Sequence, residues 1–310
     1  MPHSNTITIM KKRKIGYIAL LSLISITLGA CDKYLDIRPE TSIPDEEAYN
    51  SSTGFKTHLN GVYLKFSTQA LYGGKANMVL PEVLAHRYYQ NQLEPWVYKN
   101  LTIYSWASGD VKSHFSSLWF GTYQLIANLN TLLEEAKGKE SLFSGNDYNI
   151  MKGEAIAMRS FLHFDLLRLY GPVYNSADSV LPAIPYYSFR SATAMPYLKA
   201  NALVDSLVRD LNVAADLLKE DPVKTNGKAG NRDNSWLTKR NYRFNYFAVK
   251  ALQARVYSWR RDTVNAMAAA QEVIDVQPAF FAFDGNSATV PVNDPALTGD
   301  VLLAAETSDD

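Results

Sequence analysis

Glu154-Ala-Ile-Ala-Met-Arg159-Ser-Phe-Leu-His163-Phe-Asp165-Leu-Leu-Arg168-Leu-Tyr170-Gly171-Pro172 is the stretch on which the reading of the fold turns. With Met151 it sets Ala155, Met158, Leu162, Leu166 and Leu169 on one line, and Ala157, Phe161 and Phe164 widen that line. Apolar residues three and four apart mark a helix, and so broad an apolar surface implies burial between neighbours. The spacing predicts a helix over residues 147–170. Gly171 followed by Pro172 predicts a firm stop, because glycine takes the left-handed C′ conformation cheaply and proline cannot extend a helix. Arg159, Asp165 and Arg168 read as a helix-surface ion-pair network, and His163 as a core side chain.

Working outward, Phe115, Leu118, Trp119, Thr122, Leu125, Ile126, Leu129, Leu132 and Leu133 form one helical stripe over residues 112–136. Lys112, Gln124, Asn128, Thr131 and Glu135 fill the opposite, wet side. The short polar connection to the next helix predicts an antiparallel hairpin. Ser51, Ser52 or Thr53 caps an earlier helix that runs to about Thr68, with Gly73 and Gly74 marking the turn beyond it. Residues 173–196 read as an ordered irregular loop, residues 198–219 as helix, and residues 221–235 as a mobile polar loop. Two helices, residues 245–259 and 263–276, flank Arg260-Arg261-Asp262, and Ala248, Ala251 and Ala254 allow close approach between them. The expected fold is all-α, built of tetratricopeptide-like hairpins with long irregular loops.

The N-terminus reads as an export signal over residues 1–31. Lys11, Lys12, Arg13 and Lys14 precede an apolar run over residues 15–28, shorter than the about 20 residues a membrane span needs. Leu28-Gly29-Ala30-Cys31 places the chain's single cysteine where a lipoprotein signal is cleaved and lipidated. Met10 is the more natural start than Met1. A polar tether over residues 32–53 then leads to a helical domain over residues 54–310. Without its four basic signal residues, a chain of 31 basic and 31 acidic side chains carries about −4. That balance argues against nucleic acid as a partner, which calls for a basic face. The 19 tyrosines and 5 tryptophans suit stacking on sugar rings or packing beneath loops.

Three segments carry a family likeness: Cys31-Asp-Lys-Tyr34-Leu35-Asp36-Ile-Arg-Pro39, the helix quoted at the outset, and Asn245-Tyr-Phe-Ala248-Val-Lys-Ala251-Leu-Gln-Ala254-Arg255-Val-Tyr257-Ser-Trp259. In this order they resemble the SusD/RagB family of nutrient-uptake lipoproteins. The resemblance implies a cell-surface lipoprotein, anchored in the outer membrane through Cys31, that acts as a lid on a SusC-like, TonB-dependent transporter. It implies capture of an oligosaccharide, or in some members a peptide, with no cofactor and no covalent chemistry. Members are typically much longer than this chain, so the resemblance also predicts a C-terminally shortened protein. They usually carry glycine in the turn occupied here by Arg260-Arg261-Asp262.

For binding, the preferred segment is residues 87–106, where Arg87, Tyr88, Tyr89, Trp96 and Tyr98 are the candidate contacts, with Tyr104 and Trp106 close by. The position is similar to that of aromatic sugar contacts in the family; the alternative is that these rings only pack under a long loop. Metal and catalytic readings are weak. His58, His86, His114 and His163 are never paired at ligand spacing, and the adjacent carboxylates Glu46-Glu47 and Glu134-Glu135 diverge on a helix. A helical-repeat scaffold lipoprotein in envelope assembly, without glycan binding, is the alternative function.

Overall fold

The computed structural model describes residues 48–87, 98–281 and 303. Cys31, the signal and the tether as far as residue 47 lie outside these residues. Helix α1 (Ser52–Phe66) starts where Ser51 Oγ accepts the Gly54 N–H at 3.3 Å, and it buries Phe55, Leu59, Val62 and Phe66. A π-helical turn leads into α2 (Leu80–Leu84), and one short turn of helix, α3 (Lys99–Thr102), precedes the long α4 (Gly109–Glu135). Helix α5 (Asp147–Tyr170) follows, then strands β1 (Pro182–Pro185) and β2 (Tyr197–Lys199) and helix α6 (Ala200–Leu217). A single turn, α7 (Val223–Asn226), the hairpin of α8 (Tyr246–Trp259) and α9 (Thr263–Ile274), and a last turn, α10 (Gln277–Phe280), complete the described chain.

The long helices pack in an order that follows the chain: α1 on α4, α4 on α5, α5 on α6, α6 on α8 and α8 on α9. Each offers an apolar stripe to the next. On α4, Leu118, Leu125, Ile126, Leu129 and Leu132 are buried, each contributing about 1.5–3 kcal/mol. Helix α5 is buried nearly all round, as its broad apolar surface predicted. The loop after α5 is ordered by an antiparallel pairing of β1 with β2, in which Pro182 faces Lys199.

Three expectations are corrected. Gly171 ends α5 in an extended conformation, φ −89° and ψ 173°, not a left-handed one. Glycine is required there for room, since a Cβ would lie 2.6 Å from both the carbonyl oxygen and Cδ1 of Leu167. Arg159 is buried rather than on the helix surface, although Arg168 and Asp165 do pair at 3.0 Å. Residues 221–235 are pinned, with Gly230 bridged to Thr238 at φ +66°, where a side chain would meet the Leu237 carbonyl.

The pin is an ion network centred on the buried side chains of Arg240, Glu154 and Asp221. Arg240 is fully buried and donates from Nη1 to Glu154 Oε1, and from Nε and Nη2 to Asp221 at 3.0 and 2.7 Å. Arg243 Nε reaches the other Glu154 oxygen at 2.8 Å, and Tyr63 O–H donates to the same oxygen at 3.0 Å. Burial alone would push the Glu154 carboxyl up, but Arg243 and Arg240 hold it below the usual carboxylate range. Asp221 also accepts the Tyr246 N–H at 3.2 Å, at the start of α8. Replacing Arg240 by alanine therefore leaves Asp221 buried without its charge partner and Glu154 with Arg243 alone. Urea unfolding is expected to show a loss of about 3–5 kcal/mol.

The turn between α8 and α9 holds Arg261 at φ +65°. A side chain in this left-handed region costs about 1 kcal/mol or more relative to glycine. Arg261→Gly is expected to raise stability by about 1 kcal/mol, read as a higher urea midpoint with an unchanged slope.

His163 is fully buried, and its Nδ1 lies 2.9 Å from the Arg159 carbonyl while Nε2 accepts the Tyr187 N–H at 3.1 Å. That geometry requires the neutral ring with its proton on Nδ1. Burial, outweighing the hydrogen bond to Arg159, pulls the imidazole from 6.5 down to about 3. The unfolded chain thus takes up a proton that the folded chain refuses. The contribution is complete above about pH 6.5 and is lost as pH falls towards about 3. Between about pH 6.5 and pH 5 the unfolding free energy should fall by about 1 kcal/mol per unit more steeply in the wild type than in His163→Gln.

Candidate functional site

One flank of the apolar stripe of α4 faces a cleft rather than another helix. Trp119, Tyr123, Ile126 and Asn130 recur at spacings of three and four, and Phe120 stands beside them with 71% of its surface exposed. Facing them, the loop that leaves β1 brings Pro185, Tyr187, Phe189, Arg190 and Ser191, and the two walls enclose a cleft of about 460 Å³. Within it the ring of Tyr123 meets Trp119 at 4.9 Å and Tyr187 at 5.6 Å.

Buried polar groups of α5 fix the loop wall. Arg159 Nη1 donates to the Ser188 carbonyl at 2.7 Å and to Asn130 Oδ1 at 2.8 Å, while Nη2 pairs with Asp210 at 2.7 Å. Asn130, so oriented, donates to the carbonyls of Tyr187 and Phe189 at 3.0 and 3.1 Å. His163 takes the Tyr187 N–H, and Tyr186 O–H donates to Asp210. Tyr123 O–H donates to the Pro185 carbonyl at 2.8 Å, and the Met195 N–H donates to the Tyr187 hydroxyl at 3.0 Å. Burial pushes the Tyr123 and Tyr186 phenols up, so both stay protonated and serve as donors. Successive carbonyls of the loop are thereby held, and the rings it presents are preorganised.

Chemically the cleft offers flat apolar faces with a few polar groups at their margin, Thr131, Ser191 and Arg190, the last 3.5 Å from Glu135. Pyranose rings have this same division into apolar faces and polar edges, so stacking and edge hydrogen bonds both find partners. Among the described residues, no group of three or more His, Cys, Asp or Glu side chains is placed to hold a metal ion.

Of the candidates taken from the sequence, Tyr88, Tyr89 and Trp96 lie outside the described residues. Arg87 is solvent-exposed, 3.5 Å from Glu82, and Tyr98 leans half-buried on the core with its ring 5.1 Å from that of His114. Neither lines the cleft. The nearby Tyr104 and Trp106 stack at 5.8 Å and are 45% and 53% exposed. The cleft itself escaped sequence reasoning, because Trp119 fell in the apolar stripe and the loop residues show no period. The available signals were the i, i+4 pair Trp119 and Tyr123 and the out-of-phase Phe120.

A family model named SusD-like, with the description "Starch-binding associating with outer membrane", matches residues 33–257. SusD-like protein P38 of Formosa agariphila is 27% identical over 218 residues, covering 66% of this chain and 38% of its own. A SusD-like protein of Bacteroides ovatus is 24% identical over 254 residues, covering 80% of this chain and 40% of its own. The chain thus spans about two fifths of the length of these curated relatives. The crystal structure of a SusD superfamily protein from Bacteroides vulgatus superposes with a TM-score of 0.57 at 21% identity, over 73% of this chain and 47% of that one. A laminarin-binding SusD-like protein superposes with a TM-score of 0.51 at 16% identity, over 72% and 43%. These structures share the helical fold. With the family model matching residues 33–257, more than two thirds of the chain, and the same fold in the solved structures, this chain belongs to the SusD-like family.

Proposed function

We propose that this chain captures oligosaccharide at the cell surface, held to the outer membrane through lipid on Cys31, and passes it to a SusC-like, TonB-dependent transporter without covalent chemistry of its own. The observation that carries the reading is the aromatic cleft of Trp119, Phe120, Tyr123, Tyr187 and Phe189, whose loop wall is fixed by buried Arg159, Asn130 and His163. Preorganised ring faces lose little entropy on binding, so even weak stacking contacts add up to useful affinity. The family's description as starch-binding and a structural relative's binding of laminarin favour a glucan as ligand. The anchor rests on the basic cluster, the apolar run and Leu28-Gly29-Ala30-Cys31. A tether on lipid keeps a lid beside its transporter while leaving it free to swing.

Phe120 is the best handle for a test, because it is exposed and its removal leaves the core intact. In native gels containing laminarin or starch, the wild type should be retarded by one of them. Phe120→Ala should bind that glucan about fivefold more weakly, the loss of about 1 kcal/mol of ring contact. Unretarded migration in both gels, or equal retardation of Phe120→Ala, would sink the cleft as the binding site.

A further inference from the structure

A second cavity, of about 400 Å³, lies between α1 and the irregular segment that leads into α8. Small-molecule sites occupy about 300–1,000 Å³, so its size is sufficient. It shares no lining residue with the cleft. Tyr63, Trp236 and Tyr242 bring rings to its wall, and Asn60, Lys239 and Arg243 bring an amide and two cations. No Asp or Glu side chain is among the described residues that line it.

Two hydrogen-bond donors of this lining have no acceptor. The Arg243 guanidinium packs against two rings, its carbon 4.6 Å from the centroid of Tyr63 and 5.0 Å from that of Trp236. Nε donates to Glu154 and Nη1 to Asn60 Oδ1, each at 2.8 Å, but Nη2 is buried without a partner. Trp236 Nε1 is buried and unpartnered in the same way. Such donors are rare in native proteins, because burial removes water and nothing has replaced it. Both belong to residues that are only partly buried as a whole, so a small turn of either side chain brings its donor to an acceptor lodged in the cavity.

Lys239 supplies the charge that the cavity holds in excess. Arg243 is already matched by Glu154, and Lys56, whose ammonium lies 4.9 Å from the Trp236 ring centroid, is matched by Asp147 at 2.5 Å. Lys239 is exposed and forms no ion pair among the described residues. Its backbone is left-handed, φ +49° and ψ 51°, and its N–H donates to the Ala229 carbonyl at 3.3 Å. Lysine is strained in this region, where glycine sits at ease, and strain of this kind clusters at ligand sites. One unmatched positive charge calls for one negative charge. A dianion would bring a second towards buried Glu154 with nothing to match it.

We infer that this cavity is a binding site for a sugar acid, a hexuronate, whose carboxylate takes the Arg243 Nη2 and Trp236 Nε1 donors beside the Lys239 ammonium. Charge-assisted bonds of this kind are the strong ones. The sugar ring finds a flat face in Tyr242 and polar edges in Ser235 and in the Asn60 amide, whose Oδ1 is taken by Arg243 while its N–H groups remain to donate. The site stands apart from the aromatic cleft, and the glucan reading of that cleft neither supports nor requires it.

The test is isothermal titration of the intact chain with glucuronate and galacturonate, with glucose as the neutral ring and N-acetylphenylalanine as a carboxylate without a sugar. At least one uronate should bind about tenfold or more tightly than glucose, and its affinity should fall as salt rises. Trp236→Phe keeps a ring and removes the N–H, and should weaken uronate binding about tenfold, the loss of one hydrogen bond to a charged group. Lys239→Gly should weaken it about threefold while raising the urea midpoint, since glycine relieves the left-handed backbone. That variant cannot lose binding by failing to fold. Absence of uronate binding, glucose bound as tightly as the uronates, or uronate affinity unchanged in both variants would overturn the site. N-acetylphenylalanine bound more tightly than either uronate would overturn its assignment to a sugar acid.

Discussion

The buried guanidinium of Arg240 holds together parts of the chain that share no helix. Its three donating nitrogens face Glu154 on α5 and Asp221 beyond α6, and its own carbonyl accepts from Asn245, the residue that caps α8. Through Glu154 the network extends to Tyr63 on α1 and to Arg243, which also reaches Asn60 at 2.8 Å. Two positive and two negative groups thus balance inside the protein. Such a cluster adds little net stability over apolar packing, because desolvation offsets most of the attraction. Its contribution is geometric: any other placement of residues 221–245 strands a charge in the core. A segment of weak periodicity is thereby given one conformation, and α8 is delivered to α6 in a fixed register.

A second buried set does the same for the candidate site. Arg159, Asn130, Asp210 and His163 come from three different helices, and all of them are spent on the loop after β1 or on one another. Loops are where binding residues concentrate, but an unsupported loop is mobile and loses entropy when it binds. Here the support is drawn from the central helix, so the ring faces of Tyr187 and Phe189 are set by the core. The two polar sets lie on α5, one beginning at Glu154 and the other at Arg159 and His163. That helix organises both the array and the cleft, which explains why so much of its circumference is buried.

Helix existence was legible because burial in this protein follows period. The stripe on α4 and the broad surface of α5 appear in the structure within a few residues of their expected ends, and Tyr170 closes α5 as the following Gly-Pro pair required. The physical reason for Gly171 was misjudged, since local sequence shows the need for glycine but not whether handedness or crowding imposes it. Arg159 was misplaced because a charged residue on a helix is usually solvated, and only the distant Asp210 and the loop carbonyls make its burial tolerable. For the same reason residues 221–235 read as mobile: their polar side chains find partners far away in sequence, such as Asn234 with Asp147.

The long helices, their order and the family follow from the chain read locally, because apolar period, caps and short motifs are local properties. Tertiary structure decided which charges are buried, which loop is rigid, and which aromatic rings share a surface. Those are properties of pairs far apart in sequence, from Arg240 with Glu154 to Tyr123 with Tyr187, and no local pattern announces a partner that only folding brings within hydrogen-bonding or stacking distance.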